Sequence, residues 1–160
     1  METTLFYILA AVTVVATVFA ITEKHAVHAI VYLVTSFFSL AVIFFILGAP
    51  LVAVFEVIIY AGAIMVLFLF VIMMLDLGHP EKARRPGSRD WWPAVFLGGV
   101  TLAAAFSLVA ARPPAAAAGT PFGVRDFAAV LFRKYGVAVE VISMQLLFAL
   151  VGALYLGRRR

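Results

Sequence analysis

Long, unbroken runs of apolar residues dominate the chain, with no sustained alternation of apolar and polar positions. A helix needs about 20 such residues to cross a hydrocarbon core of roughly 30 Å. An open sheet would leave backbone groups unsatisfied in lipid, so each run predicts a helix. The five predicted spans are Leu5–Ile21, Ala29–Leu47, Leu51–Leu75, Trp92–Ala111 and Val137–Leu156. Turn residues separate the spans at Gly48–Pro50, Gly78–Pro80, Pro86–Ser88 and Pro113–Pro121.

Composition agrees with this pattern. Of the 160 residues, 66% are hydrophobic and only 12% are charged, against about 45–50% and about 25% in an ordinary soluble domain. These values exclude a soluble enzyme, a disordered tail and a nucleic-acid-binding protein. The absence of cysteine excludes disulfides and thiolate metal sites. The sequence therefore predicts an all-α integral membrane protein with five transmembrane helices in one domain over residues 1–160.

The basic residues predict how the chain is oriented, because all twelve Lys and Arg lie outside the spans. Eight fall on one side, namely Lys24, Lys82, Arg84, Arg85, Arg89, Arg158, Arg159 and Arg160. The other side has only Arg112, Arg125, Arg133 and Lys134. The positive-inside rule places the larger set in the cytoplasm. We therefore expect the N-terminus outside and the C-terminus in the cytoplasm, with Trp91 and Trp92 as interfacial anchors.

Two carboxylates lie inside predicted spans, Glu56 in the third and Glu140 in the fifth. A charged side chain at the bilayer centre costs about 2.5–3.5 kcal/mol on insertion scales, so such an acid is protonated, paired or turned toward a wet interior. Both spans begin outside, and both acids lie near their starts, which predicts a common position in the outer half of the membrane. One interpretation is proton transfer; the alternative is a hydrogen bond to a neighbouring helix or a place among the headgroups.

The middle of the third span combines this acid with small and hydroxyl-bearing residues. On an α-helix, Glu56, Tyr60 and Ala63 would share one face. Ala61, Gly62 and Ala63 form a segment of small residues that lets another helix approach closely. Gly62 lowers the cost of a local backbone change, and the Tyr60 hydroxyl would relay a proton or bind water. Ordinary small-residue packing is the alternative interpretation.

Other chemical signals are weak. Glu23, His25 and His28 lie together at the start of the second span, but two histidines beside a carboxylate at a helix start are more typical of the membrane interface than of a metal site. No Gly-rich phosphate loop, nucleophile elbow or dinucleotide fingerprint is found. We therefore predict no catalytic residue, no metal and no cofactor bound by this chain.

One long motif is far more specific. The run Phe55–Asp76, FEVIIYAGAIMVLFLFVIMMLD, closely resembles the third span of the subunit J (chain 6) family of proton-pumping NADH:quinone oxidoreductase, respiratory complex I. Three shorter stretches agree, at Val27–Ala29, Phe44–Gly48 and Val139–Met144. The resemblance extends over about Glu23–Gly78 and Phe127–Gly157, and it includes the span number and topology.

The resemblance implies a multi-pass subunit of the membrane arm in a bacterial cytoplasmic (inner) membrane. Such a subunit couples quinone reduction to proton translocation through a gating third helix and carries out no redox chemistry of its own. The family has a π-bulge near the positions matching Tyr60–Ala63, and a π-bulge is often found at a functional site. Residues of the proton pathway or gate would then be Glu56, Tyr60, Gly62, Ala63 and Glu140.

The resemblance also implies partners. The complex uses NADH, FMN, iron–sulfur clusters and quinone, all held by other chains. Neighbours would be the small K-type subunit, the quinone-site H-type subunit, the antiporter-like subunits and the lipid bilayer, with no nucleic acid.

Three other interpretations remain open. The chain could be a structural membrane scaffold, or a related subunit of a cation/proton antiporter or membrane hydrogenase. A small self-assembling transporter is disfavoured because the spans show no inverted-repeat pairing.

Overall fold

The computed structural model describes residues 2–76, 91–111 and 123–158, and every regular secondary-structure element within them is a helix. The helices are α1 Glu2–Thr22, α2 Ala26–Ile46, α3 Pro50–Phe55, α4 Met65–Asp76, α5 Trp92–Ala111, α6 Val124–Lys134 and α7 Gly136–Gly157. A π-helical segment, Glu56–Ile64, joins α3 directly to α4 and makes the third span one continuous helix. Within these described residues, five stretches are long and apolar enough to cross a membrane. The prediction of an all-α protein with five spans is confirmed.

Two of the turns within the described residues have clear local causes. After α1, the Glu23 side chain accepts hydrogen bonds from the backbone N–H groups of Lys24 and His25, at 3.0 and 3.2 Å. This tight turn lets α2 begin at Ala26, three residues before the predicted Ala29. After α2, Gly48 adopts a positive φ of 80°, which glycine tolerates best, and Pro50 starts α3. The other predicted turns lie outside the described residues.

The residues form two compact units, one holding α1 to α5 and the other holding α6 and α7. In the first unit, α2 is central and contacts α1, the third span and α5. Its core has two clusters: Val12, Ala16, Tyr32 and Leu97 in one, and Leu9, Ile43 and Ala104 in the other. The expectation of a single domain over 1–160 stays a prediction.

Side-chain hydrogen bonds join α1 to α2 along a line that we call the α1–α2 seam, formed by Thr13, Thr17, Ser36, Ser39 and the Leu9 carbonyl. The Thr17 and Ser36 hydroxyls lie 2.9 Å apart, and Ser36 also donates to the Thr13 carbonyl at 3.2 Å. The fully buried Ser39 donates to the Leu9 carbonyl at 2.9 Å. Small hydroxyl residues at such an interface let the helices approach closely and bond across it.

In the second unit, Tyr135 alone separates α6 from α7. Helix α6 corrects the sequence analysis, which placed no helix between the fourth and fifth spans. The signal was available, because Val124, Phe127, Ala128 and Leu131 recur at helical spacing. The segment was missed because it is far too short to be a span and lies beside a Pro- and Ala-rich stretch.

Candidate functional site

The buried residues of the third span reveal a change of helical repeat. They are Ala53, Glu56, Ala61 and Met65, so successive members are three, five and four residues apart. Steps of three and four are those of an α-helix, with about 3.6 residues per turn. The step of five falls within the π segment, where one more residue fits between buried positions. The π segment therefore changes which side chains of the following helix face the rest of the protein.

The backbone of the π segment explains this step. The N–H of Met65 bonds to the carbonyl of Tyr60, five residues earlier, which is the π-helical pattern. The segment includes Tyr60–Ala63, where the family resemblance implies a π-bulge, but at nine residues it is longer than a single-turn bulge.

Gly62 lies where the widened turn leaves little room for a side chain. A Cβ atom added there would lie 3.1 Å from the carbonyl oxygen of Val57, again five residues earlier. That distance is tight, and the oxygen belongs to the backbone, so it cannot move aside without changing the helix. The sequence analysis attributed the need for glycine to an approaching neighbour helix. In the described part of the chain, the close contact comes instead from the third span's own backbone.

Glu56 is the first residue of the π segment, and its side chain is only 8% exposed. The π segment packs against α2. Within residues 2–76, 91–111 and 123–158, the Glu56 carboxyl makes no side-chain hydrogen bond or ion pair. The carboxyl oxygens are nevertheless not fully enclosed; among the described residues, the enclosed side-chain N or O atom without a hydrogen-bond partner is His28 Nε2.

Tyr60 and Ala63 lie in a different environment from Glu56. Tyr60 is 47% exposed, and its ring lies 5.6 Å from the ring of Phe37 on α2. Ala63 is exposed. The predicted common face of Glu56, Tyr60 and Ala63 was based on α-helical spacing, and it is wrong for these side chains. The π-helical repeat makes Ala61 the next buried residue after Glu56.

An apolar groove of about 470 Å³ lies beside the π segment, between α2, the third span and α5. Ala61 and Met65 line it from the third span, Thr35 and Phe38 from α2, and Thr101 from α5. The groove is open to the outside of the helix bundle, and the buried stripe of the third span forms one of its walls where the helical repeat changes.

Two other groups named from the sequence lie elsewhere. Glu140 is on α7, and its side chain is exposed within the second unit; its assignment to a proton pathway stays a prediction. His28 is buried and packs edge-on against Trp91, with ring centroids 4.9 Å apart. Trp91 is thus partly an internal contact as well as a predicted anchor. Among the residues that the structure describes, no three His, Cys, Asp or Glu side chains are grouped to hold a metal.

Five apolar helices and a buried acid at the start of a π segment define an all-α multi-pass membrane protein. The family model for NADH-ubiquinone/plastoquinone oxidoreductase chain 6 matches residues 16–156, and the chain belongs to that family. Relatives named NADH-quinone oxidoreductase subunit J include one from Pseudomonas aeruginosa, which is 43% identical over 96% of this chain and 95% of its own length. One from Escherichia coli strain K12 is 40% identical over 96% of this chain and 85% of its own length. One from Rhodobacter capsulatus is 34% identical over 96% of this chain and 80% of its own length.

Proposed function

We propose that this chain is a membrane-arm subunit of an NADH:quinone oxidoreductase, in which its third span gates proton translocation driven by quinone reduction. The observation that carries the proposal is the five-residue step in the buried stripe between Glu56 and Ala61. A helix with one extra residue in its repeat has a nearby α-helical alternative. Between the two forms, the part of the helix after the extra residue is rotated by about 100°, which is the angle of one residue.

The surroundings of the π segment support such a change. The groove beside Ala61 and Met65 leaves room for side chains to move, whereas a close-packed core would resist rotation. The absence of a Cβ at Gly62 permits the narrow approach to the Val57 carbonyl. In this proposal, the span has two discrete arrangements, which is what a gate requires.

Glu56 is the residue of the proposed gate that binds and releases protons. It lies at the N-terminal end of the π segment, buried and without a hydrogen-bonding partner in the described part of the chain. An acid at this depth marks an ion or proton path more often than a packing site. In this proposal, rotation of the helix after Glu56 opens or closes the water path that reaches its carboxyl. The chain has no redox role of its own, and NADH and quinone act on other subunits.

The proposed orientation is the one that the basic residues predict, with the N-terminus outside and the C-terminus in the cytoplasm of a bacterial inner membrane. A tag placed after Arg160 would then be reached by protease only from the cytoplasmic side. Access from the outer side would reverse the orientation.

A thiol-labelling experiment in native membranes tests the gate. The chain has no cysteine, so a single introduced thiol can be followed by a mass-tag gel shift of this subunit alone. Val52→Cys lies before the π segment and Val66→Cys lies after it, and both parent side chains are exposed. We expect turnover with NADH and quinone to change the labelling rate at position 66 with a membrane-soluble maleimide, and to leave position 52 unchanged.

The same experiment separates the main alternative, a scaffold whose carboxylates only specify packing. A scaffold predicts that both positions keep their labelling rates during turnover. Equal changes at both positions would indicate movement of the entire span and would also reject a gate located in the π segment.

A further inference from the structure

Helix α6, Val124–Lys134, has two chemically different faces. With about 100° of rotation per residue, one arc is apolar and the opposite arc is polar. The apolar arc holds Val124, Phe127, Ala128 and Leu131, with Val130 and Phe132 at its two edges. The polar arc holds Arg125, Asp126, Ala129 and Arg133. Lys134, at the C-terminal end, lies on the apolar side between Phe127 and Val130. The helix is therefore amphipathic along its full length of eleven residues.

The connection to α7 fixes where this helix must be. Tyr135 is at once the residue that ends α6 and the residue that precedes α7, and its φ of −117° and ψ of 19° break the helix. Helix α7 is an apolar span that begins at Gly136. One extended residue covers only about 3.5 Å. The C-terminal end of α6 therefore lies at the membrane surface through which the fifth span enters.

Among the described residues of the second unit, the apolar arc is only partly covered: α6 contacts α7, and Ala128 and Leu131 are half-buried. Val124 is 67% exposed, Val130 53% and Phe132 66%, and no residue of α6 is fully buried. Such an arc is costly in water but favourable in the boundary between headgroups and acyl chains, where amphipathic helices insert to about 5–10 Å. The surface that α6 adjoins through Tyr135 supplies that boundary.

The charges indicate which lipids the polar side would contact. Arg125, Arg133 and Lys134 give α6 three cations against the single anion of Asp126, a net charge of +2. The Lys134 ammonium lies 5.8 Å from the centre of the Tyr135 ring, and tyrosines are enriched at the interface of membrane and water. Cations at this depth attract anionic headgroups, each by about 1 kcal/mol or about fivefold in the equilibrium.

We propose that α6 is an interfacial helix that lies flat on the membrane at the entry of the fifth span and binds anionic phospholipid headgroups. Its apolar arc enters the acyl boundary, and Arg125, Arg133 and Lys134 contact the headgroup phosphates. The helix then fixes the depth at which the fifth span begins. This proposal is independent of the gate proposed for the third span.

Two neighbouring alanines provide a matched test. Ala128 is on the apolar arc and Ala129 is on the polar arc, and the natural chain offers no competing thiol. The full chain carrying Ala128→Cys or Ala129→Cys is spin-labelled in nanodiscs of phosphatidylcholine containing phosphatidylglycerol. Collision with oxygen reports the acyl region, and collision with a water-soluble nickel chelate reports the aqueous side.

We expect the label at position 128 to collide mainly with oxygen and the label at position 129 mainly with nickel. Strong nickel collision at both positions would mean that the helix stands in water, which overturns the proposal. Protection of position 128 from both reagents would mean that protein covers this arc, which also overturns it.

Neutralising the cations tests the headgroup contact. Arg125→Gln, Arg133→Gln and Lys134→Gln are combined in the Ala128→Cys chain, with Arg158→Gln, at the other end of α7, as the control. In nanodiscs with phosphatidylglycerol, we expect the triple variant to lower the ratio of docked to undocked helix by about fivefold for each lost cation. The control should leave the ratio unchanged. A triple variant that docks as well as the Ala128→Cys chain in these phosphatidylglycerol-containing nanodiscs would reject the anionic-lipid contact.

Discussion

The α1–α2 seam and the π segment are both contacts made by α2, but they are built from opposite kinds of interaction. At the seam, four hydroxyl side chains bond to one another or to backbone carbonyls, and Ser39 is fully buried. At the π segment, α2 meets apolar side chains beside an unfilled groove of about 470 Å³. One side of α2 is therefore fixed in register by directional hydrogen bonds, and the other side packs through ring and apolar contacts such as that of Phe37 with Tyr60.

In the proposed gate, this difference lets one helix support both a rigid and a movable neighbour. Each interhelical hydrogen bond in a membrane contributes only about 0.6 kcal/mol on average. Several such bonds in a row nevertheless select one register, because a shifted register would break all of them together. In the proposed gate, the repeat of the third span near Ala61 changes against the ring contact between Phe37 and Tyr60 and the apolar groove.

The largest effect is expected for Gly62→Val. The new Cβ would lie 3.1 Å from the Val57 carbonyl in the π-helical form, and overpacking of this kind costs about 1–3 kcal/mol. That cost corresponds to about 5–150-fold in the balance between two conformations. We expect a fall of at least fivefold in NADH:quinone activity, normalised to the amount of assembled complex in the membrane.

Gly99→Val on α5 is the matched control, because a Cβ added at Gly99 meets no atom within 4 Å. Ile72→Val, a loss of one methylene on the same span as Gly62, should be nearly silent. Equal activities of the Gly62 and Gly99 variants would remove the distinction between the π segment and an ordinary helix. Loss of assembly in Gly62→Val alone would assign the glycine to folding instead of gating.

Glu56→Gln is expected to have the next largest effect. Glutamine keeps the volume of the buried side chain and its capacity for hydrogen bonds, but it has no proton to release. We expect the number of protons pumped per electron to fall. The rate of NADH oxidation should stay within about twofold of the wild-type value, since twofold is only about 0.4 kcal/mol in a barrier.

Proton uptake and NADH oxidation measured together in sealed vesicles check this prediction. Glu140→Gln is the informative companion, because this acid is exposed within its unit and the change should disturb the protein less. Unchanged proton pumping in a fully assembled Glu56→Gln complex would show that Glu56 has a structural role only and takes no part in proton transfer.

The spans could be predicted from the sequence because each depends on a long apolar run, and such runs admit only helices in lipid. The turn at Gly48 was also predictable from its residue type. Helix α6 was harder, since four of its eleven residues are charged and the segment gives no strong hydropathy signal. Only a search for helical spacing in the loop would have found Val124, Phe127, Ala128 and Leu131.

At the site, the residue types could be predicted but their relative positions could not. Glu56 is conspicuous as an acid in an apolar run. Which residues lie on the same face as Glu56 depends on the helical repeat. The α-helical repeat predicted Tyr60 and Ala63, whereas the next buried residue is Ala61. The seam was missed for another reason: Ser36 and Ser39 look like ordinary small residues until α1 supplies the Thr13 and Leu9 carbonyls.

Tyr60→Phe should have a smaller effect than either change above. The ring, which lies 5.6 Å from Phe37, is retained, and only the hydroxyl is lost. Because the side chain is 47% exposed, its loss should not destabilise the chain, and a less than tenfold fall in pumping rate is expected, within about 1.4 kcal/mol. Vesicle acidification measures it. A decrease as large as that of Glu56→Gln would place the hydroxyl on the proton path itself.

The smallest effect is expected at the seam, for Ser39→Ala. This change removes the interhelical hydrogen bond to the Leu9 carbonyl, which should cost about 0.6 kcal/mol, or less than threefold in the unfolding equilibrium. Ser143→Ala is the matched control, because the Ser143 hydroxyl bonds only to the Val139 carbonyl one turn earlier in its own helix.

Detergent-titrated unfolding of the full chain measures both variants, and proton pumping in vesicles is measured alongside. A rigid seam predicts that Ser39→Ala lowers the free energy of unfolding more than Ser143→Ala does, while the number of protons per electron stays constant in both. The reason is that the remaining contacts of Ser36 with Thr13 and Thr17 still hold the register. A changed pumping ratio in Ser39→Ala would show that the α1–α2 contact moves during turnover, and the division of α2 into a fixed and a movable side would then be wrong.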